Sequence, residues 1–265
     1  MRRYRIALLA AVTAVASVLL SSQASLARDE VLVVANQNLH IETLGSGGPT
    51  VVLEAGLGND STTWKSVAAT MATFAQVVVY DRAGLGRSLP MIDKDSPVTA
   101  DEVTAALHAL LADAAIRPPY ILVGHSLGGL YVQRFASRYP AEVSGVVLID
   151  SSSPDAPSEL KTRARLEPGT AAYLEEEGIA ESNRQVLSGG PFPPVPLTVI
   201  AATDHGPYLK EWESTLMQLQ RQLATLSPRS TLVVAEGSGH DVHIDRPDIV
   251  IDAVRRMAKA LEVKQ

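Results

Sequence analysis

Residues 120–130 read Tyr-Ile-Leu-Val-Gly-His-Ser-Leu-Gly-Gly-Leu. A run of β-favouring side chains, Tyr120 to Val123, meets Gly124-His125-Ser126-Leu127-Gly128, and helix-like sequence follows from Leu130 to about Arg138. The order is strand, tight turn, helix, with Ser126 at the corner. A serine there is held in a strained backbone conformation that pushes its oxygen out of the sheet. Gly124 and Gly128 leave room where strand and helix come closest. The N–H of Leu127 opens the helix, has no intrahelical partner, and can donate to a developing oxyanion.

Outward from this corner the chain alternates between strands and helices. Val31–Ala35 and His40–Leu44 read as an antiparallel pair joined at Asn36-Gln37-Asn38. Val51–Glu54 is apolar enough to be buried on both faces, as central parallel strands are. Strands at 76–80, 144–149, 197–201 and 231–235, with that at 120–123, bring the expected number to eight. Helices are expected over 63–74, 99–115, 210–226 and 247–261, the second opened by the capping sequence Thr99-Ala100-Asp101-Glu102. From Ser151 to about Pro194 prolines, glycines and the run Glu175-Glu176-Glu177 break the alternation. This stretch is read as a lid insertion of one or more short helices over the strand ends. Repeated β–α units after a hairpin imply a mostly parallel sheet with helices on both faces and a ligand site at the carboxyl ends of its strands.

The chain has 265 residues, no cysteine and a formal charge of −6. Met1-Arg2-Arg3-Tyr4-Arg5, an uncharged run from Ile6 to Leu20 and the small residues up to Ala27 have the make-up of a secretory signal peptide. Cleavage is expected after Ala27, with Ala24 as the alternative, and the mature protein is expected in the periplasm or outside the cell. Residues 28–265 then form one α/β domain with 20 basic and 29 acidic residues, a charge of −9. Such an acidic chain is poorly suited to nucleic acid or an anionic membrane surface. Nothing beyond the leader is long and apolar enough to span a bilayer. Neither metal-ligand spacing nor a dinucleotide fingerprint is found, so no cofactor is expected.

A serine hydroxyl needs a base within hydrogen-bond reach. His240 follows the last strand, at the sheet edge from which Ser126 emerges, with Gly237 and Gly239 leaving space for its loop. His125 is expected to point away from Ser126, His243 to be a supporting or surface group, and His205 to be an exposed loop residue, with lining of the pocket as its alternative. The base in turn needs a carboxylate to fix its tautomer. Asp204, after the strand from Leu197, is the first choice, and Asp150, after the preceding strand, is the rival. The second oxyanion donor is expected from the Leu57 N–H, in the turn Ala55-Gly56-Leu57-Gly58.

Gly-His-Ser-Leu-Gly-Gly at 124–129, Tyr-Asp-Arg-Ala-Gly-Leu-Gly-Arg-Ser at 80–88 and Gly-His-Asp-Val-His-Ile-Asp-Arg-Pro at 239–247 together resemble the serine hydrolases of the α/β-hydrolase superfamily. The resemblance covers residues 30–262. It implies acyl-enzyme chemistry on Ser126 with His240 as base, on a small-molecule substrate. The His-Ser-Leu form of the corner points to carboxylic esters, while amidases, peptidases, lactonases and carbon–carbon hydrolases use the same triad. A non-catalytic binding protein of the same fold is the reading from a different class. Two departures from the pattern stand out. Ala55 replaces the usual histidine before Gly56, and the loop Ala-Ala-Thr-Asp-His lacks the glycine often found before the acid.

Overall fold

The computed structural model describes residues 28–90, 96–160 and 165–262, so the expected leader lies outside the described residues. Eight strands form one sheet: β1 (Arg28–Val34), β2 (Gln37–Leu44), β3 (Thr50–Glu54), β4 (Gln76–Tyr80), β5 (Tyr120–His125), β6 (Val143–Ile149), β7 (Leu197–Ala202) and β8 (Ser230–Ala235). Their spatial order is β1-β2-β4-β3-β5-β6-β7-β8. β1 and β2 pair antiparallel, as do β2 and β4, and every later pairing is parallel. The helices are α1 (Lys65–Met71), α2 (Ala100–Asp113), α3 (Leu127–Arg138), α4 (Ala171–Glu177), α5 (Ile179–Leu187), α6 (Glu213–Leu223), α7 (Val242–Asp245) and α8 (Pro247–Glu262).

Alternate side chains of the central strands feed two separate cores, which is why those strands read as continuous apolar runs. Val52, Val78, Leu122, Val146, Leu148 and Val199 pack against Leu107, Leu110 and Leu111 of α2, Phe135 of α3 and Leu223 of α6. Val51, Val77, Ile121, Val147 and Ile200 face Val67 and Met71 of α1 and Val250, Val254 and Met257 of α8.

Element ends differ from expectation where local chemistry decides. The β1–β2 hairpin turns at Ala35 (φ 49°) and Asn36 (φ 62°), both left-handed, rather than over three residues from Asn36. Two successive positive φ values match the twist of a two-residue hairpin. β5 runs on to His125, and α3 starts directly at Leu127. The capping box at Thr99 and Glu102 is present. The insertion holds two short helices, α4 and α5, docked on the start of α2. The Ala100 N–H donates to Ser182 Oγ at 2.9 Å and the Asp101 N–H to Gln185 Oε1 at 2.8 Å. Helix-start N–H groups lack intrahelical partners, and here the insertion supplies them.

Candidate active site

Ser126 sits between β5 and α3 at φ 51° and ψ −123°, a conformation costly for a side chain with a Cβ. It persists because the surrounding backbone fixes it. The Ser126 N–H donates to Ile149 O at 3.1 Å, and the Ser126 carbonyl accepts from Gly129 at 3.0 Å and Ser152 at 2.9 Å. A Cβ on Gly124 would lie 2.7 Å from the Gly128 carbonyl oxygen, and one on Gly128 would run into the Glu54 and Ala55 carbonyls. Both glycines are therefore fixed by close packing, as expected.

His240 lies in the loop after β8, and its ring centre is 4.7 Å from that of His125, the residue before the serine. The His125 Nε2 donates to the His240 carbonyl at 3.1 Å, anchoring the backbone of that loop. His240 Nδ1 stands 2.6 Å from Asp150 Oδ2. A carboxylate can only accept there, so Nδ1 carries the proton and Nε2 keeps the lone pair a base needs.

Asp150, the rival, thus holds the position expected for Asp204. It follows β6 directly, at φ 38°, and is buried. Its N–H donates to Ile200 O at 2.7 Å and its Oδ1 accepts the Ala202 N–H at 3.2 Å, so β7 locks both ends of the residue. Asp204 lies two residues beyond the end of β7. Its carboxylate accepts the Gly206 N–H at 3.1 Å, closing a turn of its own at the surface. With Asp150 as with Asp204, the order along the chain is serine, carboxylate, histidine.

His205, expected as an exposed loop residue, has a side chain only 4% exposed. Its Nε2 is 2.7 Å from Asp150 Oδ2 and its Nδ1 is 2.8 Å from Glu213 Oε2. Burial disfavours charge on this ring, but the hydrogen bond to Asp150 and the charges of Asp150 and Glu213 outweigh it and raise its pKa to about 9. Burial likewise opposes ionisation of Asp150, but the hydrogen bonds from His205 and His240 hold its carboxyl well below the usual range. His243 is buried against Trp64 and shares a 2.8 Å hydrogen bond with Thr63 Oγ1. Burial pushes its pKa down to about 4, and pushes that of His125 well below the usual histidine range, so both stay neutral.

The loop carrying Leu57 is held from below by Arg82, which is buried. Its Nη1 donates to Ala55 O at 2.8 Å and to Glu54 Oε1 at 2.7 Å. Its Nη2 donates to Gly56 O at 2.6 Å and Glu175 Oε2 at 3.0 Å, and its Nε to Glu175 Oε1 at 2.6 Å. These five bonds use all five guanidinium donors. Glu175 Oε2 also accepts the Gly58 N–H at 2.9 Å. The groups on both sides of the Leu57 N–H are therefore fixed. Burial works against the charge of Arg82, but Glu175 and Glu54 hold it protonated well above its ordinary range. Leu127, at the first position of α3, supplies a second N–H, one with no intrahelical partner.

The motif at 80–88 is explained by Asp81 as well. Its carboxylate accepts the N–H groups of Ser61 at 2.7 Å and Arg87 at 2.9 Å, and a Cβ on Gly86 would strike it. Among the described residues, two groups have ligand atoms close enough to share a metal ion: Asp150, His205 and His240, and His125, Asp241 and His243. In the first, hydrogen bonds already account for both nitrogen–oxygen approaches. In the second, His125 Nε2 is committed to the His240 carbonyl.

A strained serine between strand and helix, a histidine after the last strand and a carboxylate after β6, on this sheet order, define a class of protein. The chain belongs to the α/β-hydrolase superfamily: the family model described as alpha/beta hydrolase fold matches residues 49–175. YqjL of Bacillus subtilis, an uncharacterized protein, is 33% identical over 218 residues, covering 78% of this chain and 82% of that one. An AB hydrolase superfamily protein of Gibberella zeae is 24% identical over 280 residues, covering 80% of this chain and 86% of its own. Among solved structures, a thermophilic esterase from Thermogutta terrifontis superposes with a TM-score of 0.71 at 20% identity, over 88% of this chain and 99% of that one. The enol-lactonase of Burkholderia xenovorans gives 0.65 at 20% identity, over 86% and 99%.

Proposed function

We propose that the protein is a serine hydrolase that cleaves carboxylic esters through an acyl-enzyme on Ser126. The observation that carries this reading is the His240 Nδ1–Asp150 Oδ2 hydrogen bond beside a serine held at positive φ. His240 Nε2 takes the proton from the Ser126 hydroxyl as its oxygen attacks the substrate carbonyl. The tetrahedral oxyanion is received by the N–H groups of Leu57 and Leu127. The His240 imidazolium, stabilised by Asp150, then protonates the leaving alcohol. Water, deprotonated by the same nitrogen, releases the acid.

Hydrolysis of p-nitrophenyl esters of increasing acyl length by the protein and its Ser126→Ala variant tests this. Turnover in the variant is expected to fall by about 10³-fold or more. Equal turnover in both proteins would remove Ser126 from the nucleophile role. Matched anilides and lactones in the same panel separate an esterase from an amidase or lactonase. Export is part of the proposal, because the basic start and short apolar run suit a cleaved leader. N-terminal sequencing of the exported protein should then begin at Arg28.

A further inference from the structure

His205 lies between two carboxylates that both demand a donor. Its Nε2 faces Asp150 Oδ2 at 2.7 Å and its Nδ1 faces Glu213 Oε2 at 2.8 Å, while its backbone N–H donates to Glu213 Oε1 at 2.7 Å. A neutral imidazole has one N–H and would turn a lone pair on one of these carboxylates. Only the doubly protonated ring satisfies both. Asp150 Oδ2 therefore receives two imidazole donors, one from His205 and one from His240, whose ring centres are 6.1 Å apart. Its other oxygen takes the Ala202 N–H.

We propose that His205 is a positioning residue: held as a cation between Asp150 and Glu213, it fixes Asp150 toward His240 and sets the acid limit of the reaction. The inference rests on the reading of Ser126, His240 and Asp150 as the reacting set. A fixed cation on Asp150 reduces the pull of that carboxylate on a second proton at His240. Like charges repel across this distance, so loss of the cation is expected to change the pH dependence of the base.

The other groups around His240 do not supply this effect. His125, from the end of β5, and His243, from α7, are buried and neutral. Asp241, next to His240 in its loop, and Asp245, at the end of α7, bring carboxylates rather than a cation, and that of Asp245 accepts the Gly239 N–H. Glu213, at the start of α6, reaches the site only through His205. His205 is the one buried cation in contact with Asp150 among the described residues. The raised pKa of its ring, about 9, agrees with a charge retained at neutral pH.

The test combines a direct view of the proton with a view of reactivity. Nitrogen-15 imidazole spectra of the whole protein at pH 7.5 should show both His205 nitrogens protonated. The rate at which a fluorophosphonate labels Ser126, followed against pH, reads the base without needing the natural substrate. In His205→Gln the acid limb of that rate should move up by about one pH unit, the scale expected for unit charges at this separation near a half-exposed ring. His205→Lys, which restores a cation, should bring the limb back toward the wild-type position. Glu213→Gln, which leaves Asp150 to hold the cation, should move it less than His205→Gln does.

A singly protonated His205 at pH 7.5 would overturn the proposal. So would acid limbs that coincide in wild type and His205→Gln while the variant loses only thermal stability. If the wild-type protein takes no label at all, the hydrolase reading falls by itself. The spectra then still decide for or against the cation, and the His240 titration in His205→Gln still decides its effect on the base.

Discussion

Asp150 and Asp204 follow neighbouring strands, and their surroundings dictate opposite outcomes for the same substitution. Asp150→Asn keeps the volume but turns a uniform acceptor into a group with a donor face, which allows the wrong His240 tautomer. A fall of about 10³- to 10⁴-fold in kcat is expected, measured with p-nitrophenyl esters under saturating substrate. Asp204→Asn changes only a surface turn, and kcat should stay within about threefold of wild type. The reverse pattern would return Asp204 to the role first expected for it. Ser126 and His240 are legible in the sequence because each is set by its own few neighbours: two packing glycines for one, a glycine-flanked loop after the last strand for the other. The acid is not, since loops after β6 and β7 both end near the histidine. Asp150 is also followed by Ser151-Ser152-Ser153-Pro154, which reads as the start of the insertion rather than as part of the site. His205 looks like any loop histidine until Glu213, eight residues on, folds back to it.

The insertion shows the same limit at the level of the element. Its helical content is legible, but the place of its acidic run is not. Helical periodicity turns one of those three glutamates inward, and Glu175 meets Arg82 while Glu176 and Glu177 stay nearer the surface. The carboxylate that steadies the Leu57 loop thus comes from more than a hundred residues away. Glu175→Gln should destabilise the fold by about 2–4 kcal/mol in urea titrations, because it leaves a buried cation short of one counter-charge. It should also lower kcat more than it raises KM, since a loosened oxyanion loop matters most in the transition state. A loss of stability with kcat unchanged would show that the loop holds its place without Glu175.

For the molecule as a whole, the sheet and its two helical layers are the most legible part, because apolar runs between glycine-marked turns permit few other arrangements. Its response to pH is not legible there at all, since it depends on which histidines are buried and beside what. His205, raised to about 9, contributes stability that is full below pH 6.5 and lost as pH rises through 9. The size is about 1–3 kcal/mol, or several degrees in Tm. His243, lowered to about 4 by burial, acts in the other direction, and stability falls as pH drops from 6.5 toward 4. Calorimetry should therefore find a Tm maximum near pH 6.5, and His205→Gln should flatten its alkaline side. An alkaline limb as steep in the variant as in wild type would contradict this assignment. The reach of Glu175 also has a consequence for recombination between relatives. Exchanging the stretch from Ser151 to Pro194 for that of another hydrolase exchanges α4, α5 and the Glu175 support of the Leu57 loop in one stroke. Chimaeras that carry a carboxylate in register with position 175 should survive such a swap, and the rest should lose turnover on every substrate alike.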